Sequence, residues 1–483
     1  MRERLACMVG LVVAWGINME SSHHFSPLEH PWNAPAIGTA GLHAAYQRRQ
    51  LRPSQVLERS LDLARRSEPG LFICLLEDRA LTEARASDAR WDAGHPLGPL
   101  DGVPVVWKDL FDLAGTPTTA GSATRRHAAR AVQDAVAVQA LAAQGCISLG
   151  KVGLSEFAYS GLGLNPHFGT PVNRSSGDGH RAPGGSSSGS AVAVAAGMAW
   201  IGMGTDTGGS VRVPAAFNGL VGFKPSSGRF NKKGIFPLSH TLDVPGPLAR
   251  TVQDCAWVDA ALCGQALTPL QSRSVRDLSF VVPINQVFDG IEPEVRIAFE
   301  HLLERLRAAG ARITHRNITA LDDLSVLTAR HGTVAAAEGY FWHQALVDSP
   351  QASALDRRVL ARLLRGKTMS ALDLLTLQAA RARLARECAT FLGESWMLSP
   401  TVVHVAPLVA PLEADDALFH QTNLRTLQNT LPGNFLDLCG VSLPMGVGAG
   451  GMPVGVLISG GTARDAALLE AAAGVEQLLA TQS

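Results

Sequence analysis

The chain lacks an excess of charge of either sign: lysine plus arginine and aspartate plus glutamate number 42 each. A balanced chain has no general attraction for nucleic acid or an anionic membrane, so neither is an expected partner. It also lacks paired cysteines. The seven (Cys7, Cys74, Cys146, Cys255, Cys263, Cys388 and Cys439) are scattered, odd in number and free of any CxxC. That pattern excludes a zinc cluster and a disulfide framework, and it points to buried core thiols in a reducing, cytoplasmic compartment. The apolar run at residues 5–15 is too short to span a bilayer. With its charged start it shares the first two regions of a signal peptide, but no small-x-small cleavage site follows. Met19 offers a second start, and residues 1–35 read as a poorly ordered extension.

What is present is a large apolar fraction, 46% of residues, enough for an extensive core. Helix and strand signals alternate along it. Ser54 is placed to cap a helix with Val56, Leu57, Leu61 and Ala64 on one face. "LFICLL" (71–76) reads as a buried strand and "ALTEARASDARWDAG" (80–94) as helix. "DAVAVQALAAQG" starts at a capping Asp134, stops at Gly145 and leads into an extended "CISLG". "LSFVVP" is a strand, and the helix after it has Pro293 near its start and Gly310 past its end. "ARITHR" is again a strand. Residues 370–392 form a long amphipathic helix with Leu374, Leu377, Leu384, Cys388 and Phe391 as its core stripe. Such alternation indicates helices packed on a sheet, an α/β class.

The stretch "PGGSSSGSA" (183–191) has linker composition but runs into "VAVAA", which must be buried. A Ser/Gly loop entering a buried helix offers hydroxyl caps and free N–H groups. Phosphate binding is disfavoured, because no lysine follows the last glycine and no GxGxxG occurs. Gly185-Ser186-Ser187-Ser188-Gly189 fits the G-x-S-x-G elbow formally. The elbow must follow an apolar strand, and "SSGDGHRAP" is not one, so Ser187 is rejected as nucleophile. A second glycine-rich serine lies downstream in "GMGTDTGGSVRVPAAFNGLVGFKP" (202–225). Two serines on tight backbone suggest a paired arrangement, which needs a base. None of the histidines stands in a recognisable triad setting, His180 and His240 included. Lys108 follows the apolar Val105, Val106 and Trp107, where a lysine is unusual unless it is buried for a reason or snorkels from a strand end.

Together these segments resemble the amidase signature family of serine amide hydrolases. The resemblance covers residues 36 to about 475, within one expected domain at 36–483 whose motif core is 99–254. It is carried by "GVPVVWKD", "GTPTTAGS", "LGKVGLSEFA", "APGGSSSGSAVAVAAG", "GTDTGGSVRVPAAFNGLVGFKPSSGR", "LDVPGPLARTVQD" and, more weakly, "GGMPVGVLISG". It implies a large twisted mixed β-sheet sandwiched between α-helices. It implies Ser210 as nucleophile, Ser186 after a cis bond from Gly185 as proton relay, and an unprotonated Lys108 as base. Thr207, Gly208 and Gly209 are then the expected oxyanion hole, and Asp206 and Arg212 a structural ion pair holding the loop. The family usually has glycine where Ser188 stands, which would matter if that position needed positive φ.

The implied activity is hydrolysis of a linear carboxamide through an acyl-enzyme, releasing ammonia or an amine. It needs a small-molecule amide substrate, no metal and no organic cofactor. The oligomeric state is open, a homodimer included. Two other readings stand beside it: the glutamine-hydrolysing subunit of a tRNA-dependent amidotransferase, and a non-catalytic binding paralogue.

Overall fold

A computed structural model of the chain describes residues 38–177 and 179–481. The extension expected over 1–35, with Cys7 and Met19, lies outside them. The described chain builds one sheet from β1 (Phe72–Leu75), β2 (Pro104–Lys108), β3 (Ile147–Val152), β4 (Ile201–Asp206), β5 (Val221–Lys224), β6 (Val244–Ala249), β7 (Ser279–Pro283), β8 (Arg312–Arg316), β9 (Trp396–Pro400), β10 (Cys439–Val447) and β11 (Pro453–Gly460). The eleven strands run in the order β1-β3-β2-β4-β6-β5-β10-β11-β9-β7-β8. Parallel trios at either side, β3-β2-β4 and β9-β7-β8, flank an antiparallel centre. Successive residues of a strand point to opposite faces. Every residue of β2, β4 and β6 is buried, so helices cover both faces. The fold is the expected α/β sandwich around a mixed sheet.

The pairing decides what meets at one edge. β2 and β4 are parallel, so Lys108 at the end of β2 and Asp206 at the end of β4 emerge on the same side. β6 runs antiparallel to β4 with Asp206 opposite Val244, which puts Asp243 beside the chain leaving β4. The helix Ser188–Ala195 is buried through Val194 and packs on β4 and β2.

Several local expectations need correction. Asp134 does not cap its helix: its carboxylate accepts Arg79 at 2.8 and 2.9 Å and the Ala114 N–H at 2.8 Å, and Ala135 is the N-cap. Ser54 sits inside Pro53–Arg65, whose N-cap is Arg52 with proline in the first turn. β1 is an edge strand, so it is half-buried throughout. In Ala371–Leu392, capped by Ser370, the buried stripe is Leu377, Ala380, Leu384, Cys388 and Leu392. Leu374 is half-buried and Phe391 exposed, with the Arg316 guanidinium over its ring at 5.7 Å. Phe391 and Leu392 both satisfy the helical period from Cys388, and Leu392 takes the core position.

Cys74, Cys146, Cys255, Cys263, Cys388 and Cys439 are free thiols. Among the described residues no helix is long and apolar enough to cross a membrane.

Glycine at 189 is dictated by packing. A Cβ there would stand 2.6 Å from the Gly153 nitrogen and 2.8 Å from its oxygen, both backbone atoms that cannot swing aside. Gly189→Ala is expected to destabilise the fold by about 1–3 kcal/mol, the usual range for overpacking. Urea unfolding against the parent protein measures this.

Candidate active site

Lys108 is fully buried at the end of a strand whose other residues are apolar. Its Nζ lies 2.6 Å from Ser186 Oγ, 2.8 Å from Thr205 Oγ1 and 3.4 Å from the Thr205 carbonyl oxygen. Burial pulls its pKa down to about 7, against the opposing pull of Asp243 and Asp206. Two other lysines are also buried, Lys151 and Lys224. Lys151 pairs with Asp109 at 2.5 Å, and Lys224 donates to the Pro225 carbonyl at 2.6 Å. Of the three, Lys108 alone meets a serine hydroxyl. His180 contacts the Pro171 carbonyl at 3.4 Å, and His240 packs near Trp342, so neither approaches these serines.

The Gly185-Ser186 peptide bond is cis. Gly185 has no room for a side chain, since a Cβ would come within 2.5 Å of the Gly163 nitrogen. Ser187 is turned from the cavity: its Oγ donates to the Thr205 carbonyl at 3.3 Å while its N–H donates to the Ser210 carbonyl at 3.2 Å. Ser188 is the first residue of its helix and has no positive φ, so a serine there meets no left-handed strain.

Ser210 stands in the turn between β4 and the helix Arg212–Phe217, at the wall of a cavity of about 710 Å³ shared with Thr207 and Gly208. Asp206 organises this turn. Its carboxylate accepts the N–H groups of Gly209 (2.8 Å) and Val211 (3.1 Å), and Arg212 Nε (3.0 Å) and Nη2 (2.9 Å). Asp206 and Arg212 are both fully buried. Burial alone would raise the Asp206 carboxyl, but Arg212, Lys224 and the backbone donors hold it well below the ordinary carboxylate range.

This geometry corrects one expected oxyanion donor. The Gly209 N–H is already spent on Asp206, because the carboxylate must pin the turn. The N–H groups of Thr207, Gly208 and Ser210 have no acceptor among the described residues.

Four contributors escaped the sequence reading. Thr205 shares the Lys108 amine. Asp243 accepts Thr207 Oγ1 at 2.5 Å. Thr430 Oγ1 donates to the Gly208 carbonyl at 2.7 Å. Asn434 accepts from Arg212 Nη2 at 2.7 Å and donates to Asp206 Oδ1 at 3.0 Å. Thr205 lies in the quoted motif and could have been found there. Thr430 and Asn434 come from a segment more than 200 positions away with no motif to mark it. Among the described residues no cluster of three or more His, Cys, Asp or Glu is placed to hold a metal ion.

A family model described as Amidase matches residues 55–469. The chain belongs to the amidase family. It is an amide-hydrolysing enzyme, as its similarity to amidases in sequence and in structure supports. The amidase chain is 34% identical to 2-amino-5-chloromuconic acid deaminase of Comamonas testosteroni, over 92% of this chain and 97% of that protein. It is 32% identical to a glutamyl-tRNA(Gln) amidotransferase subunit of Ralstonia nicotianae, over 85% and 91% respectively. A crystal structure of an amidase superposes with a TM-score of 0.79 at 31% identity, covering 91% of this chain and 99% of that one.

Removing one partner of a buried pair leaves an uncompensated charge. Arg212→Met is expected to cost about 3–5 kcal/mol of stability at neutral pH. Combining it with Asp206→Asn should restore part of that loss. A double-mutant cycle of unfolding free energies checks both.

Proposed function

We propose that the amidase works through an acyl-enzyme on Ser210, with Ser186 and Lys108 as its proton route. The observation that carries this is the 2.6 Å approach of a fully buried lysine amine to the Ser186 hydroxyl, with the amine's pKa pulled to about 7. A neutral amine has a lone pair to accept the Ser186 proton, and Ser186 then takes the proton of Ser210. Ser210 Oγ attacks the amide carbon. The N–H groups of Thr207, Gly208 and Ser210 are free to receive the negative charge that develops on the carbonyl oxygen. When the C–N bond breaks, the proton held by Lys108 returns through Ser186 to the leaving ammonia or amine. Water adds to the acyl group by the same route and releases the carboxylate. Asp206, Arg212 and Gly185 hold the backbone and carry no proton.

The substrate is a small-molecule amide, and the free thiols support a reducing, cytoplasmic setting. The alternative, glutamine hydrolysis within a tRNA-dependent amidotransferase, draws on the Ralstonia relative. It requires a glutaminase rate that rises on addition of partner proteins. A binding-only paralogue would leave Ser210 unreactive towards a fluorophosphonate probe, whereas the hydrolase labels there.

Lys108 must be deprotonated to act, so kcat/KM on an amide should rise with pH through a midpoint of about 7 and level off above it. Ser210→Ala should abolish turnover. Lys108→Ala should lose roughly 10²–10⁴-fold in rate together with the rising limb of the profile. A retained limb in Lys108→Ala would assign the titration to another group.

A further inference from the structure

The cavity over Ser210 is walled in part by the helix Arg357–Lys367. Arg362 and Arg365 lie three residues apart, on one face, and both line the cavity. Their neighbours on the same helix are paired: Arg357 with Asp416 at 2.6 Å and Arg358 with Asp356 at 2.8 Å. Among the described residues neither Arg362 nor Arg365 has a carboxylate within 4.0 Å. Arg362 instead stacks its guanidinium over the ring of buried Tyr159, 4.4 Å from the centroid.

The rest of the lining adds positive charge. Arg330 contributes a third guanidinium, against one carboxylate, Asp373. Asp373 is already bound to His331 at 2.7 Å and to the Ser370 hydroxyl at 2.6 Å. His420 also lines the cavity, and burial, reinforced by Arg362 and Arg365, lowers its pKa, so its neutral ring retains one donor. Burial lowers the Arg362 pKa as well, and Arg365 adds to that effect. A guanidinium withdrawn from water without a counter-ion is costly, and an anion entering the cavity removes that cost. A planar fork of N–H donors suits a carboxylate in particular.

We infer that the substrate is an amide that also bears a carboxylate, with Arg362 and Arg365 holding the carboxylate while the scissile amide faces Ser210. Arg365, exposed at the cavity mouth, meets the anion first; Arg362, against Tyr159, fixes it. The inference rests on the hydrolase reading of Ser210 and names its substrate class.

The test uses half-amides of short dicarboxylic acids (succinamate, glutaramate, adipamate) against the matching neutral diamides. The best half-amide should exceed its diamide by roughly 10- to 100-fold in kcat/KM, the worth of hydrogen bonds to a charged group. Arg362→Gln and Arg365→Gln should remove that preference through KM on the half-amide, with a clearly smaller loss on the diamide. Arg365→Lys, at an exposed position, should keep part of it. Equal use of both substrate sets, or equal losses on both in the arginine variants, overturns the inference and leaves the hydrolase intact. Calorimetry on Ser210→Ala separates the two claims. Binding of half-amides while wild type turns over no amide of either set supports the anion site and sinks the proposed chemistry; no binding of any half-amide overturns the anion site.

Discussion

The withdrawal of one lysine amine from water governs this molecule. Lowering the Lys108 pKa from 10.5 to about 7 means that burial disfavours its charged form by on the order of 5 kcal/mol. That effect survives only if no carboxylate pairs with the amine. The neighbouring acids are committed elsewhere: Asp109 to Lys151, Asp206 to Arg212, and Asp243 to Thr207 and two backbone N–H groups. Lys108 is left facing only hydroxyls and a carbonyl. The sorting of charges around it matters as much as its own burial.

The same sorting shapes the turn that presents Ser210. Asp206 takes the Gly209 N–H and so pulls the turn tight, while Thr430 and Asn434 tie it from the far side. A carboxylate near the lysine is instead a fastener for the turn that carries Ser210. The cavity beyond is built by helices from the second half of the chain, and those helices set its chemistry: three arginines on the lining against one committed aspartate. The buried lysine with its serine loops and the arginine-rich cavity wall thus come from different parts of the sequence.

The elements were legible where periodicity and punctuation agreed. Pro293 and Gly310 bracket a helix as expected, and Gly145 ends one with φ of 82°. Legibility failed where a polar residue had two uses. Asp134 looks like a cap, yet Arg79 claims it from another helix. Phe391 and Leu392 fit one stripe equally, and only the packing of the helix end selects Leu392.

By itself the sequence marked two glycine-rich serine loops and a lysine behind an apolar strand, because these are local features of backbone freedom and hydropathy; their grouping was what the family resemblance implied. Residue types there limit the chemistry before any contact is known. Tertiary structure alone decided that the Gly209 N–H is occupied, that Thr430 and Asn434 brace the turn, and that Arg362 and Arg365 line the cavity with no carboxylate partner among the described residues. Each depends on which distant group arrives within hydrogen-bonding reach, and strand order and helix packing set that, whereas neighbouring residues along the chain do not.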